Sequence, residues 1–273
     1  MLVLSQHDRL RVVLVSTRNP LNIGAAARAM SNFGFRHLRV VNPYEAAFRE
    51  ARSAVGASEL LRSAEEYASV GEAVADCALV VGTTAGRDRE LQHPLQRLDE
   101  GARLIGKRLA SGPVALLFGS EKRGLSNQEL SHCHWLLHVP TRAEHISMNL
   151  GQAVAVCLYA LVHELEGAGK AAKVSMERSS KKSKIAQRAR KAKLAQEEKT
   201  GAATAGELKR ITEVLLEALG ASGYLSSTPA ASTQEKLRRQ VRRLNLSAGD
   251  AETWLGMLRQ IVWKIHSQKG PAK

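Results

Sequence analysis

The stretch that decides the fold is Ile146-Ser-Met-Asn-Leu-Gly-Gln-Ala-Val-Ala-Val-Cys-Leu-Tyr-Ala-Leu161. A polar loop, 140–145, precedes it, and the apolar run inside it is too short to span a bilayer. Because apolar residues occupy nearly every face after Ala153, the pattern predicts a buried helix. Ser147 or Asn149 can cap its first turn, since both side chains accept from backbone N–H groups. An ordinary capped core helix satisfies the same pattern.

Short apolar segments alternate with helical patterns in front of this helix. The predicted strands cover residues 11–16, 38–41, 78–82, 114–118 and 135–139. The predicted helices include the small-residue segment 22–34, the segment 97–110 and a helix that begins at the capping box Ser126-Asn-Gln-Glu129. This alternation predicts an α/β domain with a largely parallel sheet. Ligands of such sheets lie beyond the carboxyl ends of the strands, which would gather the loops 83–89, 119–125 and 140–148 at one edge.

The positive charge of the chain is concentrated behind this domain. The whole sequence of 273 residues has a formal net charge of +14. Residues 1–169 contain 18 basic and 17 acidic side chains, whereas residues 170–273 contain 22 basic and 9 acidic ones. Such an asymmetry indicates a polyanionic partner, with nucleic acid favoured over a merely solubilising tail.

The composition also divides the chain into three parts. We expect an α/β domain at 1–168, a basic linker at 169–203 with few large apolar residues, and a helical RNA-binding domain at 204–273. A charged, transiently helical arm is the alternative for the middle segment. Apolar spacing predicts three helices in the last part, and the middle one is strongly basic. The basic residues expected to contact RNA there and in the linker are Lys181, Lys182, Arg188, Arg190, Arg238, Arg239, Arg242 and Arg243.

Several classes of site are disfavoured. The three cysteines form no C-x-x-C pair, which argues against a disulfide framework and fits a cytoplasmic location. His132-Cys133-His134 could be imagined as metal ligands, but polar residues around one buried thiol explain them more simply, so no metal is expected. The sequence contains no P-loop, no G-x-G-x-x-G after the first strand, no signal peptide and no membrane span.

Three motifs together resemble a known family. Asn22-Ile-Gly-Ala-Ala-Ala-Arg28, Phe118-Gly-Ser-Glu-Lys-Arg-Gly-Leu125 and Ile146-Ser-Met-Asn-Leu150 follow one another in the order and spacing of the SPOUT RNA methyltransferases of the TrmH/TrmJ type. The resemblance covers roughly residues 9–166. It implies a parallel-sheet SPOUT domain with a C-terminal trefoil knot, followed by a small C-terminal α-helical domain. It also implies a homodimer that binds S-adenosyl-L-methionine and transfers its methyl group to a ribose 2′-hydroxyl of RNA.

The resemblance assigns roles to individual residues. The cofactor would be bound or enclosed by Thr83, Thr84, Ala85, Gly119, Glu121, Gly124, Leu125, Val139, Ile146, Ser147, Met148, Asn149 and Leu150. Arg28 matches the family's catalytic arginine, which reaches the active site of the partner subunit. Asn22, Arg28, Arg87 and Arg89 would contact RNA. Glu121 could hold an amino group of the ligand or brace its own loop.

The expected substrate is tRNA, and the resemblance to TrmJ points to cytidine or uridine in the anticodon-loop region. Because a guanidinium stays protonated, Arg28 is expected to stabilise the developing alkoxide or to pair with a phosphate rather than to accept a proton. The sequence leaves two alternatives open. One is methylation of a base or of ribosomal RNA, and the other is a non-catalytic RNA-binding protein of the same fold.

Overall fold

A seven-stranded, wholly parallel sheet forms the centre of the computed structural model, which describes residues 6–53, 59–86, 91–142, 144–177, 201–226 and 230–268. The strand order is β3-β2-β1-β6-β4-β7-β5. The strands are β1 (Leu10–Val15), β2 (His37–Val41), β3 (Glu65–Tyr67), β4 (Leu79–Thr84), β5 (Leu95–Arg97), β6 (Val114–Phe118) and β7 (Trp135–His138). All five predicted strands are confirmed. The sequence did not predict β3 and β5, because each has only three residues and lies at an edge of the sheet.

The central strands are buried on both faces. Val12, Val13 and Leu14 of β1 are fully enclosed, and β1 pairs with β2 on one side and β6 on the other. Continuous apolar strands of this kind need cover on both faces of the sheet. The cover comes from α1 (Pro20–Asn32), α2 (Glu45–Ser53), α3 (Glu59–Arg62), α4 (Val70–Ala73), α5 (Leu98–Leu109), α6 (Asn127–Leu130) and α7 (Leu150–Glu177).

Helix α7 is the buried helix that the opening stretch predicts. Asn149 caps it, since its Oδ1 accepts from the backbone N–H of Gly151 at 2.9 Å. The helix crosses α1 closely, because a Cβ at Gly151 would lie only 2.6 Å from the Cβ of Ala25. Two features differ from the expectation. Tyr159 is 63% exposed, and the helix continues to Glu177, so the expected linker from residue 169 begins with a helical segment. The alanines and lysines of this segment are good helix formers.

Three further helices follow, as predicted: α8 (Ala205–Ala221), α9 (Ala231–Arg243) and α10 (Ala248–Gln268). Leu208, Ile211, Val241 and Leu258 form their common core. We call residues 201–226 and 230–268 the helical unit. It begins slightly before the predicted residue 204, because the backbone N–H of Ala248 donates to the carbonyl of residue 201 at 2.7 Å.

The helical unit is docked directly on the α/β domain. The backbone N–H groups of Ala205 and Gly206, in the first turn of α8, donate to the carbonyls of Cys77 and Ala75 at 2.8 and 3.0 Å. Gly206 permits this approach, because a Cβ there would lie 3.0 Å from the carbonyl oxygen of Ala75. The docking places α9 beside α6 and the start of β7. Among the described residues, no helix is long and apolar enough to cross a membrane.

Candidate active site at the carboxyl edge of the sheet

Three loops meet where β4, β6 and β7 end, and they enclose a cavity of about 490 Å³. We call it the carboxyl-edge cavity. Every residue that the sequence assigned to the cofactor lines it: Thr83, Thr84, Ala85, Gly119, Glu121, Gly124, Leu125, Val139, Ile146, Ser147, Met148, Asn149 and Leu150. This size lies within the range that small-molecule sites occupy. Other lining residues were not predicted from the sequence, including Phe118 and Leu137 near the buried ends of two strands. Their positions near the carboxyl ends of predicted strands could have identified them as lining residues.

The loop after β6 is folded so tightly that it requires glycine. A Cβ at Gly119 would lie 2.0 Å from the carbonyl carbon of Gly124 and 2.2 Å from the backbone nitrogen of Leu125. Gly124 has φ +64°, a conformation that glycine adopts without strain. Its N–H donates to the carbonyl of Ser120 at 2.8 Å, which closes the loop. The result is a wall of backbone that a ligand can approach closely.

Glu121 braces this loop against the start of α1. Its carboxylate accepts from the backbone N–H groups of Arg18 and Asn19 at 3.3 and 3.2 Å, and from Nδ2 of Asn22 at 3.1 Å. Partial burial acts to raise the pKa of Glu121, but these hydrogen bonds outweigh it and hold the pKa below its usual value. Of the two roles expected for this carboxylate, the structure shows the bracing one.

Asn22 and Asn149 extend the brace to the third motif. Nδ2 of Asn149 donates to Oδ1 of Asn22 at 2.8 Å, while the other end of the Asn149 amide caps α7. The three motifs of the sequence are therefore joined by one chain of hydrogen bonds, Glu121–Asn22–Asn149. Asn22, expected to contact RNA, lies at the wall of the cavity and supports its two neighbours.

The remaining walls combine apolar and polar groups. Leu125 and Leu150 are buried at the base, and Val139 and Ile146 are partly exposed to the cavity. The hydroxyl of Thr83 donates to the carbonyl of Leu117 at 2.8 Å, which fixes the end of β4 to β6. The hydroxyl of Thr141 donates to the carbonyl of Ile146 at 3.2 Å and so closes the loop after β7. Backbone polar groups beside apolar side chains suit a nucleoside with a polar tail.

Arg28 does not line this cavity. Its side chain is exposed on α1, whereas the flanking residues Ala27 and Ala29 are buried. Arg28 follows Asn22 by six residues, which corresponds to about 9 Å along the helix and a turn of roughly 240°. The guanidinium therefore lies outside the cavity of its own subunit.

The arginines of α9 turn toward the α/β domain. Arg238 donates to the hydroxyl of Ser131 at 2.6 Å, and Arg242 donates through Nε to the carbonyl of His132 at 2.8 Å. Arg239 and Arg243 donate to the side chain and the carbonyl of Gln92. Arg242, which the sequence predicts to contact RNA, is only 2% exposed and is packed against the α/β domain. The helical period located this basic stripe but could not show what it packs against.

The His132-Cys133-His134 segment lies at the same interface. Burial lowers the pKa of His132 and His134 to about 3, and the nearby Arg242 lowers both further. Burial also raises the pKa of the Cys133 thiol to about 12. Nδ1 of His134 accepts from the backbone N–H of Val80 at 3.1 Å, so this ring fixes β7 beside β4. The three side chains are uncharged at neutral pH and pack as structural groups.

The remaining residues assigned to RNA, Arg87, Arg89, Lys181, Lys182, Arg188 and Arg190, lie outside the described residues. In the part of the chain that is described, no group of three or more His, Cys, Asp or Glu side chains is arranged to hold a metal ion.

Comparisons with known proteins identify the family of this chain. The sequence matches the SpoU rRNA Methylase family over residues 9–159. A protein of Pseudomonas aeruginosa (strain UCBPP-PA14), named tRNA (cytidine/uridine/adenosine-2'-O-)-methyltransferase TrmJ, is 44% identical over 154 residues, which are 56% of this chain and 60% of the relative. The tRNA (cytidine/uridine-2'-O-)-methyltransferase TrmJ of Sodalis glossinidius is 32% identical over 262 residues, covering 95% of this chain and 92% of that protein.

A solved structure agrees over both parts of the chain. The crystal structure of TrmJ from Z. mobilis ZM4 matches with a TM-score of 0.71 at 28% identity, covering 92% of this chain and 98% of that one. The match thus extends past the α/β domain into the helical unit. The chain belongs to the SpoU methylase family and is a methyltransferase of the TrmJ type, as the three motifs predicted.

Proposed function

We propose that this protein transfers a methyl group from S-adenosyl-L-methionine to a ribose 2′-hydroxyl of tRNA, at a cytidine or uridine of the anticodon-loop region. The observation that carries the proposal is the carboxyl-edge cavity, where all the residues assigned to the cofactor from sequence come together. The relatives in Pseudomonas aeruginosa and Sodalis glossinidius are named for 2′-O-methylation of tRNA, which supports the substrate.

The cavity fits this cofactor in size and chemistry. The tight turn at Gly119 exposes backbone where a side chain would fill the space, and Leu125, Val139 and Leu150 supply an apolar wall for an adenine ring. When bound, S-adenosyl-L-methionine supplies an electrophilic methyl group on sulfur. The chain's own residues supply position and a preorganised polar environment. Glu121 contributes by holding the loop after β6 in place, since its carboxylate is engaged with α1.

Arg28 would act in the cavity of a second copy of the chain. The α1–α7 face exposes Leu21 by 79% and Tyr159 by 63%, and the rings of Phe33 and Tyr159 meet edge to face at 6.2 Å. Apolar exposure on this face supports a homodimer in which α1 of one subunit faces the cavity of its partner. When the methyl group passes from sulfur to the 2′-oxygen and the hydroxyl proton passes to water or to a neighbouring phosphate, the guanidinium of Arg28 would stabilise the negative charge that develops on that oxygen.

Two finer features belong to the same proposal. The family resemblance implies a trefoil knot formed by the chain between β6 and α7, and the close approach of Gly119 to the Gly124–Leu125 backbone supports a tightly folded segment there.

A cytoplasmic location is supported by Cys77, Cys133 and Cys157, which are all unpaired and buried.

The decisive experiment is incubation with labelled S-adenosyl-L-methionine and total RNA, followed by mapping of the label and digestion to nucleosides. We expect labelled 2′-O-methylcytidine or 2′-O-methyluridine from tRNA. Label on a base, or in ribosomal RNA alone, would assign a different methylation to the same cavity. Cofactor binding without any transfer to RNA would make the protein a non-catalytic member of the fold.

A further inference from the structure

A second cavity, of about 650 Å³, lies between the helical unit and the opposite edge of the sheet. Its walls include the last turn of α5, the amino ends of β4, β5 and β7, and residues at the start of α8 and the end of α9. We call it the amino-edge cleft. Leu79 at the start of β4 lines this cleft and Thr84 at the end of β4 lines the carboxyl-edge cavity, which at about 3.3 Å per residue places them roughly 15–20 Å apart, and the two cavities share no lining residue. The two cavities are therefore separate sites.

The amino-edge cleft is lined by cations without matching anions. Lys107, Arg108, Arg242 and Arg243 line it, and no aspartate or glutamate does so among the described residues. None of these four side chains takes part in the ion pairs found between described residues. His134 also lines the cleft, but burial lowers its pKa to about 3, so it adds no charge at neutral pH.

Within the described ranges, Arg242 is the buried cation that lacks a counter-ion. It is 2% exposed, and its hydrogen bonds go to the carbonyls of His132 at 2.8 Å and Arg238 at 3.5 Å. A buried charge is costly unless an opposite charge compensates it. Among the described residues one other arginine is buried, Arg39, and it is paired with Asp76 and Glu65. An anion bound in the cleft would supply the negative charge that no described residue places beside Arg242.

We propose that the amino-edge cleft binds backbone phosphates of the RNA substrate, an inference that rests on the proposed function in taking RNA as the partner. Lys107 and Arg243 are exposed at the opening, Arg108 is half-buried, and Arg242 is buried deepest. Cations at graded depths suit a phosphodiester chain that passes over the cleft and directs one phosphate inward. The two arginines of α9 thereby combine with two cations of the α/β domain, so docking of the helical unit assembles the site.

The test uses the full-length double variant K107A/R108A, because neither side chain forms a hydrogen bond or ion pair across the docking interface among the described residues. The matched control is R49A/R62A, which removes the same charge from α2 and α3, where the arginines form exposed pairs with Glu45 and Glu59. Each protein is titrated with a tRNA transcript at several salt concentrations. Binding of S-adenosylhomocysteine is measured in parallel to verify the carboxyl-edge cavity.

Losing two phosphate contacts should make the slope of log K against log salt shallower by about 1.4–1.8 and weaken tRNA binding roughly tenfold or more at low salt. Transfer to tRNA should show a raised KM with nearly unchanged kcat, since the cleft is remote from the reacting atoms. The control should keep the wild-type slope. Equal slopes for K107A/R108A and the control, with a wild-type protein that methylates tRNA, would overturn this inference and leave the proposed function intact.

Two other outcomes separate the remaining possibilities. Inorganic phosphate could bind the wild type but not K107A/R108A, while the two proteins bind tRNA with equal affinity. This outcome would assign the cleft to a small free anion and overturn the RNA assignment. The wild-type protein could also bind tRNA with a steeper salt slope than K107A/R108A and yet transfer no methyl group. This outcome would support the RNA site in the cleft and reject the proposed reaction.

Discussion

Replacing Gly119 by alanine tests whether the wall of the carboxyl-edge cavity is built as described. The new Cβ would lie 2.0 Å from the carbonyl carbon of Gly124 and 2.2 Å from the nitrogen of Leu125, more than 1 Å inside an ordinary contact. Both obstacles are backbone atoms, so no side-chain rotation relieves the overlap, and the loop must open. Forced overpacking costs about 1–3 kcal/mol, and here the strain displaces the residues that face the ligand.

We expect G119A to lower the affinity for S-adenosylhomocysteine at least tenfold, which corresponds to about 1.4 kcal/mol, and to lower the urea midpoint of unfolding. Calorimetry and urea denaturation measure the two effects. The control is G256A in α10, where a Cβ meets no heavy atom within 4 Å and alanine should stabilise the helix by up to about 1 kcal/mol. Wild-type affinity and stability in G119A would refute the account of the loop.

Three further predictions concern other parts of the molecule. R28A should lower turnover by about 100-fold or more while S-adenosylhomocysteine binds as in the wild type; weakened cofactor binding with normal turnover would contradict a role outside the cavity of its own subunit. D76N removes the carboxylate that pairs with Arg39 and should lower the free energy of unfolding in urea by about 1–2 kcal/mol, less than the loss of a fully buried pair because Asp76 is 44% exposed. The control D99N removes an exposed pair and should lower it by close to zero. Equal effects of the two variants would count against the Arg39–Asp76 pairing. Acid should destabilise the docked helical unit, since the pKa values of its interface histidines are lowered by burial and then by nearby arginines. These histidines are His93, His132 and His134, with pKa values of about 4, 3 and 3. The contribution of these histidines to the free energy of unfolding is fully present above their ordinary pKa of 6.5 and is lost as the pH falls toward their pKa values in the folded protein. An equal free energy of unfolding at pH 7.5 and pH 5 would contradict this prediction.

The sequence predicted the parts of the fold that hydrophobic patterning determines. Five strands were found because each is a buried apolar run, and the capping box at Ser126 located α6 correctly. The edge strands β3 and β5 are too short for any periodicity to mark them. The sequence predicted a linker or a charged, transiently helical arm from residue 169, and the first part of this segment continues α7 to Glu177 because helix propensity prevails there.

The candidate site likewise contains features that the sequence predicted and features that it could not predict. The motifs identified the residues of the carboxyl-edge cavity, but they could not show that Glu121 binds α1, a contact that joins residues about a hundred positions apart. The basic stripe of α9 was correctly located, yet its docking on Ser131 and His132 depends on tertiary packing, which one-dimensional spacing does not contain. Long-range polar contacts are the information that the pattern lacked.

The hydrogen-bond chain Glu121–Asn22–Asn149 has a consequence for how two active sites would communicate. Helix α1 is held at its first turn by the loop of one cavity, and it carries Arg28 about two turns further on. In the proposed homodimer this single rigid helix belongs to two cavities at once. Filling one cavity would then change the position of the guanidinium that serves the other. By thermodynamic linkage, cofactor bound in one cavity and RNA bound at the other would then alter each other's affinity by the same factor.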